Sequence, residues 1–231
     1  MMQVNGLLFD KDGTLFDFNA TWNNWTISVI DHFSEGNATT SQRIADAIDF
    51  DLIERAFRPT SPVIAGTNRQ AAELVASALP GSDVDAVEDY LAKSATEAPV
   101  APVVPLTPYL TDLQARGLKL GVVTNDTEMG ARAHLETASV TRFFDFIAGF
   151  DSGFGAKPDP DPLLAFAKAM ALDPSTIAMV GDSTHDLIAG RRAGMTTIGV
   201  LTGLAQSHEL APYADIVLPH IGHIPELLET A

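Results

Sequence analysis

Cysteine is missing from all 231 residues. That excludes disulfides, thiolate metal sites and thiol nucleophiles. Long apolar runs are missing too: no stretch approaches the roughly 18 residues of a membrane span. The most apolar segment, Val100 to Leu106, is interrupted by Pro102 and Pro105. The N-terminal residues lack a basic stretch followed by an apolar block and a small-residue cleavage site. The expectation is a cytoplasmic protein with no membrane partner. Positive charge is scarce, with 14 Lys and Arg against 30 Asp and Glu, a net charge of −16. A basic footprint for nucleic acid is therefore absent, as is a polybasic stretch for anionic lipid. Such a chain repels anions at long range, so binding a phosphate requires a local cation to reverse the sign. A metal ion is implied.

Hydrophobic residues make up 46% of the chain, enough for an ordinary core. Short apolar runs read as buried strands at Val4–Phe9, Leu118–Val123, Phe146–Gly149, Ile177–Val180 and Thr196–Val200, with Ile216–Leu218 as a possible sixth. Helical segments separate them: Leu106–Arg116 stopping at Gly117, Thr127–Ala138, Pro162–Ala171, and His185–Ala193 stopping at Gly194. Alternating strands and helices predict an α/β fold, a Rossmann-like parallel sheet covered on both faces. Residues 18–100 break the rhythm. No strand is evident there, and apolar residues recur at helical spacing: Trp22, Trp25 and Val29, then Ala71, Leu74, Val75, Ala78 and Leu79. This predicts an inserted α-helical unit of four or five helices. The core is then 1–17 with 101–231, joined to the insertion through Asp17–Ala20 and a proline-rich exit.

Four segments carry chemistry, each at or beyond the C-terminal end of a predicted strand, where open α/β sheets bind ligands. The first is Asp10-Lys11-Asp12-Gly13-Thr14. Two carboxylates two residues apart face the same way on an extended chain. One can attack phosphorus, and the other can move protons; the bland alternative is a solvated acidic turn. The second, Thr124-Asn125-Asp126, offers a hydroxyl and main-chain N–H groups for phosphoryl oxygens, or is an ordinary helix cap. The third is Lys157 before Pro158, a possible phosphoryl counter-charge or a plain surface lysine. The fourth, Gly181-Asp182-Ser183-Thr184-His185-Asp186, supplies carboxylates that make an all-oxygen site with Asp10, as magnesium prefers, or merely caps a helix.

In this order the four segments resemble the motifs of the haloacid dehalogenase-like superfamily. The resemblance covers residues 4 to 218 outside the insertion, which itself resembles the helical cap of many members. The nearest subgroup is the phosphoglycolate phosphatase-like enzymes. The resemblance implies that Asp10 is the nucleophile and Asp12 the acid and base. It places Mg2+ on Asp10, the main-chain carbonyl of Asp12, and Asp182. Asp186 then supports the metal's water shell or orients Lys157, while Thr124, Asn125 and Lys157 hold the phosphoryl group. The implied substrate is a small phosphorylated metabolite, 2-phosphoglycolate first. Asp12 argues against dehalogenation, since a leaving halide needs no proton. A phosphomutase shares all four motifs, and a non-catalytic phosphate-binding regulator is the alternative outside enzymes. For specificity, Arg58 and Arg69 flank the loop Pro59–Asn68 of the insertion and are the expected partners of a second anionic group. Trp22 and Trp25 are expected to pack the insertion's core.

Overall fold

The computed structural model describes residues 3–228. The chain opens with β1 (Gly6–Phe9) and passes through α1 (Phe18–Ser34), α2 (Ala38–Ala47), β2 (Phe50–Asp51), β3 (Ala56–Phe57), α3 (Asn68–Ser77) and α4 (Val84–Ala95). From α5 (Leu106–Ala115) onward, strands and helices alternate. They run β4 (Lys119–Val123), α6 (Glu128–Thr137), β5 (Phe146–Ala148), α7 (Asp161–Met170), β6 (Ile177–Gly181), α8 (Thr184–Ala193), β7 (Thr196–Val200), α9 (Ser207–Leu210), β8 (Ile216–Leu218) and α10 (Ile224–Leu227).

Six strands form one parallel sheet in the order β5-β4-β1-β6-β7-β8. Strand residues alternate between its faces. Leu7, Phe9, Val122 and Val180 pack with Leu110, Leu113, Ala131 and Leu135 of α5 and α6 on one side. Leu8, Val123 and Met179 pack with Leu163, Phe166 and Ala189 of α7 and α8 on the other. Burial on both faces explains why these strands read as unbroken apolar runs. The sheet order also fixes where a site can form. From β1 the chain builds outward through β4 and β5, then returns to the other side of β1 for β6, β7 and β8. The order reverses at β1, so the loops after β4 and β6 part on either side of the loop after β1 and leave a crevice.

The insertion has its own apolar cluster, including Phe18, Val29, Ile30, Ile44, Val75 and Leu91. Its two connections run side by side, with Asp17 N–H donating to Ala101 O at 2.8 Å. The expectation of no strand here is corrected by an antiparallel hairpin, pairing Phe50 with Phe57 and Asp51 with Ala56. Two-residue strands are too short to show a period-two pattern. No helix among the described residues is long and apolar enough to cross a membrane.

Candidate active site

Asp10 follows β1, Thr124 follows β4 and Asp182 follows β6, so register alone brings them side by side at one sheet edge. Asp10 is buried, as are Thr124, Lys157, Asp182 and Asp186. Lys157, on the loop between β5 and α7, reaches across this edge. Its Nζ donates to Asp10 Oδ1 at 2.6 Å and to Val123 O at 2.8 Å, and forms an ion pair with Asp186 Oδ1 at 2.7 Å. Burial alone would lower the ammonium's pKa; Asp10 and Asp186 outweigh that and hold it above the ordinary lysine value. The lysine is thus a fixed interior charge.

Neither Thr124 nor Asp182 is the N-cap of the helix that follows it. Helix α6 begins later, capped by Thr127, whose Oγ1 accepts from Gly130 N at 3.0 Å. Helix α8 is capped by Ser183, and the Asp186 Oδ2 accepts from Ser183 N at 3.0 Å and Ser183 Oγ at 2.7 Å. Asp186 is held by that cap through Oδ2 and by the Lys157 ion pair through Oδ1. Asp182 is left free. Gly13 and Gly203 press against its carboxylate so closely that a Cβ at either position would collide with it. Gly13 also has φ of +74°, which favours glycine.

Asp10, Asp182 and Asp186 each offer an oxygen, all within 4.8 Å of one another. Burial first, then the charge of Asp10 and of Asp186, pushes the Asp182 carboxyl well above its usual range, and the charge of Lys157 offsets this only in part. Burial likewise raises Asp10 to about 7 despite Lys157. Three carboxylates face one ammonium, all in oxygen chemistry. That donor set fits a hard divalent cation, which would discharge the repulsion that raises both pKa values.

Asn125 does more than offer its N–H. Its side-chain Oδ1 accepts from Lys157 N, and its Nδ2 donates to Lys157 O and to Ala65 O of the insertion, each at 2.9 Å. It ties the lysine loop to the insertion.

Lys11 lies between the two carboxylates of the first segment, and nothing in the sequence gives it a role. It is fully buried. Its ammonium donates to Asp12 Oδ1 at 3.0 Å and to His134 Nδ1 at 2.8 Å, and pairs with Asp126 Oδ2 at 3.1 Å. An ammonium can only donate, so His134 Nδ1 accepts; Nε2 then carries the proton and donates to Ala95 O of α4 at 2.8 Å. Burial, and then Lys11, lower the His134 pKa, consistent with a neutral ring. The link from Asp12 to the insertion thus runs through Lys11 and His134. Lysine between two aspartates reads as surface; only the fold reveals its three partners.

A cavity of about 100 Å³ lies over this floor. Below it are Asp10, Asp12, Thr124, Lys157 and Asp182; above it are Phe18, Trp22, Trp25, Phe57, Val63 and Ile64. The loop Pro59–Asn68 lines it from Val63 to Asn68. Trp22 and Trp25 pack on the insertion's cluster and also face the cavity. Arg58 and Arg69 are not among its lining residues. Arg58 pairs with Asp49 and Asp51, and Arg69 with Glu73, Asp85 and Glu88, all within the insertion. The expectation that they meet a second anionic group is therefore corrected: neighbouring carboxylates already hold both guanidiniums.

Residues 7–200 match the family described as haloacid dehalogenase-like hydrolase. The chain belongs to this family. Among curated relatives of this hydrolase, pyrophosphatase PpaX of Bacillus velezensis is 26% identical over 211 residues, 91% of this chain and 89% of that protein. Phosphoglycolate phosphatase of Escherichia coli (strain K12) is 37% identical over 102 residues, only 42% of this chain and 40% of that enzyme. Among solved structures, a haloacid dehalogenase-like protein from Bacteroides fragilis superposes with a TM-score of 0.75 at 21% identity, covering 96% of this chain and all of that one. At that identity the likeness concerns the fold.

Proposed function

We propose that the chain is a magnesium-dependent phosphatase that hydrolyses a small phosphomonoester through a phosphoaspartate on Asp10. The observation that carries this is the cluster of Asp10, Asp182 and Lys157 at the sheet's switch point, with Asp12 two residues past the nucleophile. A regulator that merely accepts a phosphate has no need of Asp12 or of an enclosing insertion.

In the first half-reaction an Asp10 carboxylate oxygen attacks phosphorus in line with the ester oxygen. The phosphorus–oxygen ester bond breaks, and Asp12 gives its proton to the departing alkoxide. In the second, Asp12 takes a proton from water as its oxygen attacks phosphorus. The bond to Asp10 breaks, and phosphate leaves. Lys157, Thr124 and the N–H of Asn125 hold the phosphoryl oxygens throughout, so catalysis is mostly positioning and charge stabilisation. Magnesium held by Asp10, the Asp12 carbonyl and Asp182 would supply the further positive charge that a chain of −16 otherwise lacks.

On this reading residues 1–17 and 101–231 form the catalytic core, and 18–100 form a cap that closes over it. The separate apolar cluster of the insertion supports that division. 2-Phosphoglycolate is the substrate that the subgroup resemblance suggests. The test of the activity is phosphate release from p-nitrophenyl phosphate. Turnover is expected with magnesium and is expected to vanish in excess chelator; equal rates in both would sink the proposal.

A further inference from the structure

The ceiling of the cavity is built from Phe18, Trp22, Trp25, Phe57, Val63 and Ile64. Among the described residues its lining contains one lysine, Lys157, and no arginine. Lys157 and His185, the basic groups of that lining, both belong to the core floor. Lys157 is already shared between Asp10 and Asp186. Three of the polar groups that the cap brings already have partners. Asn68 Nδ2 donates to Glu88 O, Thr67 Oγ1 caps α3 by accepting from Gln70 N, and Trp25 Nε1 donates to Ser94 Oγ.

From this charge and hydrogen-bond census we propose that the substrate is the phosphate monoester of an uncharged, largely apolar alcohol, aromatic or aliphatic, whose body lies against the aromatic ceiling. The inference rests on the phosphatase reading above and sharpens it.

Its physical basis is the cost of the alternatives. A carboxylate on the leaving group, as in 2-phosphoglycolate, or a second phosphoryl group, as in pyrophosphate, would be buried against apolar walls without a counter-ion, in a chain whose field already repels it. A sugar phosphate would bury several hydroxyls against few free partners, each leaving a hydrogen bond unmade. An apolar body displaces water and lies against the carbon of Phe18, Phe57, Val63, Ile64 and the indole rings. Each matched methylene in such a pocket is worth roughly tenfold or more in discrimination.

The experiment ranks kcat/KM for benzyl phosphate, n-butyl phosphate, glycerol 3-phosphate, 2-phosphoglycolate and inorganic pyrophosphate with magnesium. The first four release primary alcohols, so leaving-group chemistry does not set their order. Benzyl phosphate is expected to exceed glycerol 3-phosphate and 2-phosphoglycolate by about tenfold or more. Ile64→Arg, which adds a guanidinium to the ceiling, is expected to shift the ratio of 2-phosphoglycolate to benzyl phosphate upward by about tenfold. A wild-type preference for 2-phosphoglycolate, pyrophosphate or glycerol 3-phosphate overturns the inference while leaving the phosphatase reading intact. Absence of magnesium-dependent turnover of every ester overturns that reading, and the inference with it. Should Ile64→Arg fail to fold, the wild-type ranking decides alone.

Discussion

The floor and the ceiling of one cavity obey opposite rules. The floor gathers Asp10, Asp182, Asp186 and Lys157, all buried, and charge there is matched only in part. The ceiling is aromatic and aliphatic, and the cap's Arg58 and Arg69 are turned to carboxylates elsewhere. Buried charge is costly, so its presence on the floor argues for chemistry rather than stability. Aromatic side chains beside a cavity are cheap for a fold to keep, so the ceiling argues for selection. On the proposed function, transfer and choice of substrate fall to separate parts of the chain, and each part can be disturbed alone.

Disturbing the floor should have the largest effect. Asp10→Asn is expected to lower kcat by on the order of 10⁴-fold for every ester tested, whatever the leaving group. Circular dichroism should remain that of the wild type. Activity of more than a few per cent would remove Asp10 from the nucleophile role.

Removing the floor's cation should cost stability before anything else. Lys157→Met leaves the Asp10 and Asp186 carboxylates facing each other without their shared ammonium. Breaking one partner out of a buried set costs about 3–5 kcal/mol. Urea unfolding in chelator would measure it. A loss under about 1 kcal/mol would mean that water or rearrangement already satisfies the pair, contrary to their burial.

Magnesium should restore part of that balance in the wild type. A ligand that binds only the folded state stabilises by about 2.7 kcal/mol at a hundred times its Kd. The sign of the pH dependence follows from Asp10, raised by burial from 3.8 to about 7. A raised carboxyl favours the protonated folded state, so its contribution is present below pH 3.8 and lost as pH rises towards 7. In chelator, this group therefore makes the metal-free protein less stable across that window. Magnesium must displace the proton, so its stabilising shift in Tm should be larger at pH 8 than at pH 5. Equal shifts at both would speak against binding at Asp10.

How much of this was visible in the linear sequence follows the same division. The floor was legible in part because Asp10, Thr124 and Asp182 each follow an apolar run, and strand order does the rest; Lys157 lies further out, on the loop after β5. Taken singly, Thr124 and Lys157 carry weak signals; the order of the four segments marks Asp10, Thr124, Lys157 and Asp182, and the structure brings all four to one edge. The ceiling was not legible. Helical spacing marks Trp22 and Trp25 as buried, but burial against other helices and exposure to a cavity leave the same pattern. Arg58 and Arg69 looked available because their partners, Asp51 and Glu88 among them, are brought close only by the hairpin and by the packing of α3 on α4. Lys11 was hidden for a related reason: its partners Asp126 and His134 lie more than a hundred residues away.

The seam between the two regions offers the smallest and most selective effect. His134 accepts from Lys11 below and donates to Ala95 O of the cap above. His134→Phe keeps an aromatic ring there but removes both bonds. Leaving Lys11 one acceptor short, and Ala95 O with Ala98 N as its remaining donor, should cost about 1–3 kcal/mol in urea unfolding. The kinetic consequence is narrower. Lys11 holds Asp12, so a loosened Lys11 leaves the proton donor less well aimed. Alkyl esters need that proton, whereas p-nitrophenolate leaves readily without it. The variant should therefore lose several-fold more kcat on benzyl phosphate than on p-nitrophenyl phosphate. A merely structural histidine would lower both alike. Equal losses would confine His134 to joining the core and cap, and would uncouple cap position from proton transfer.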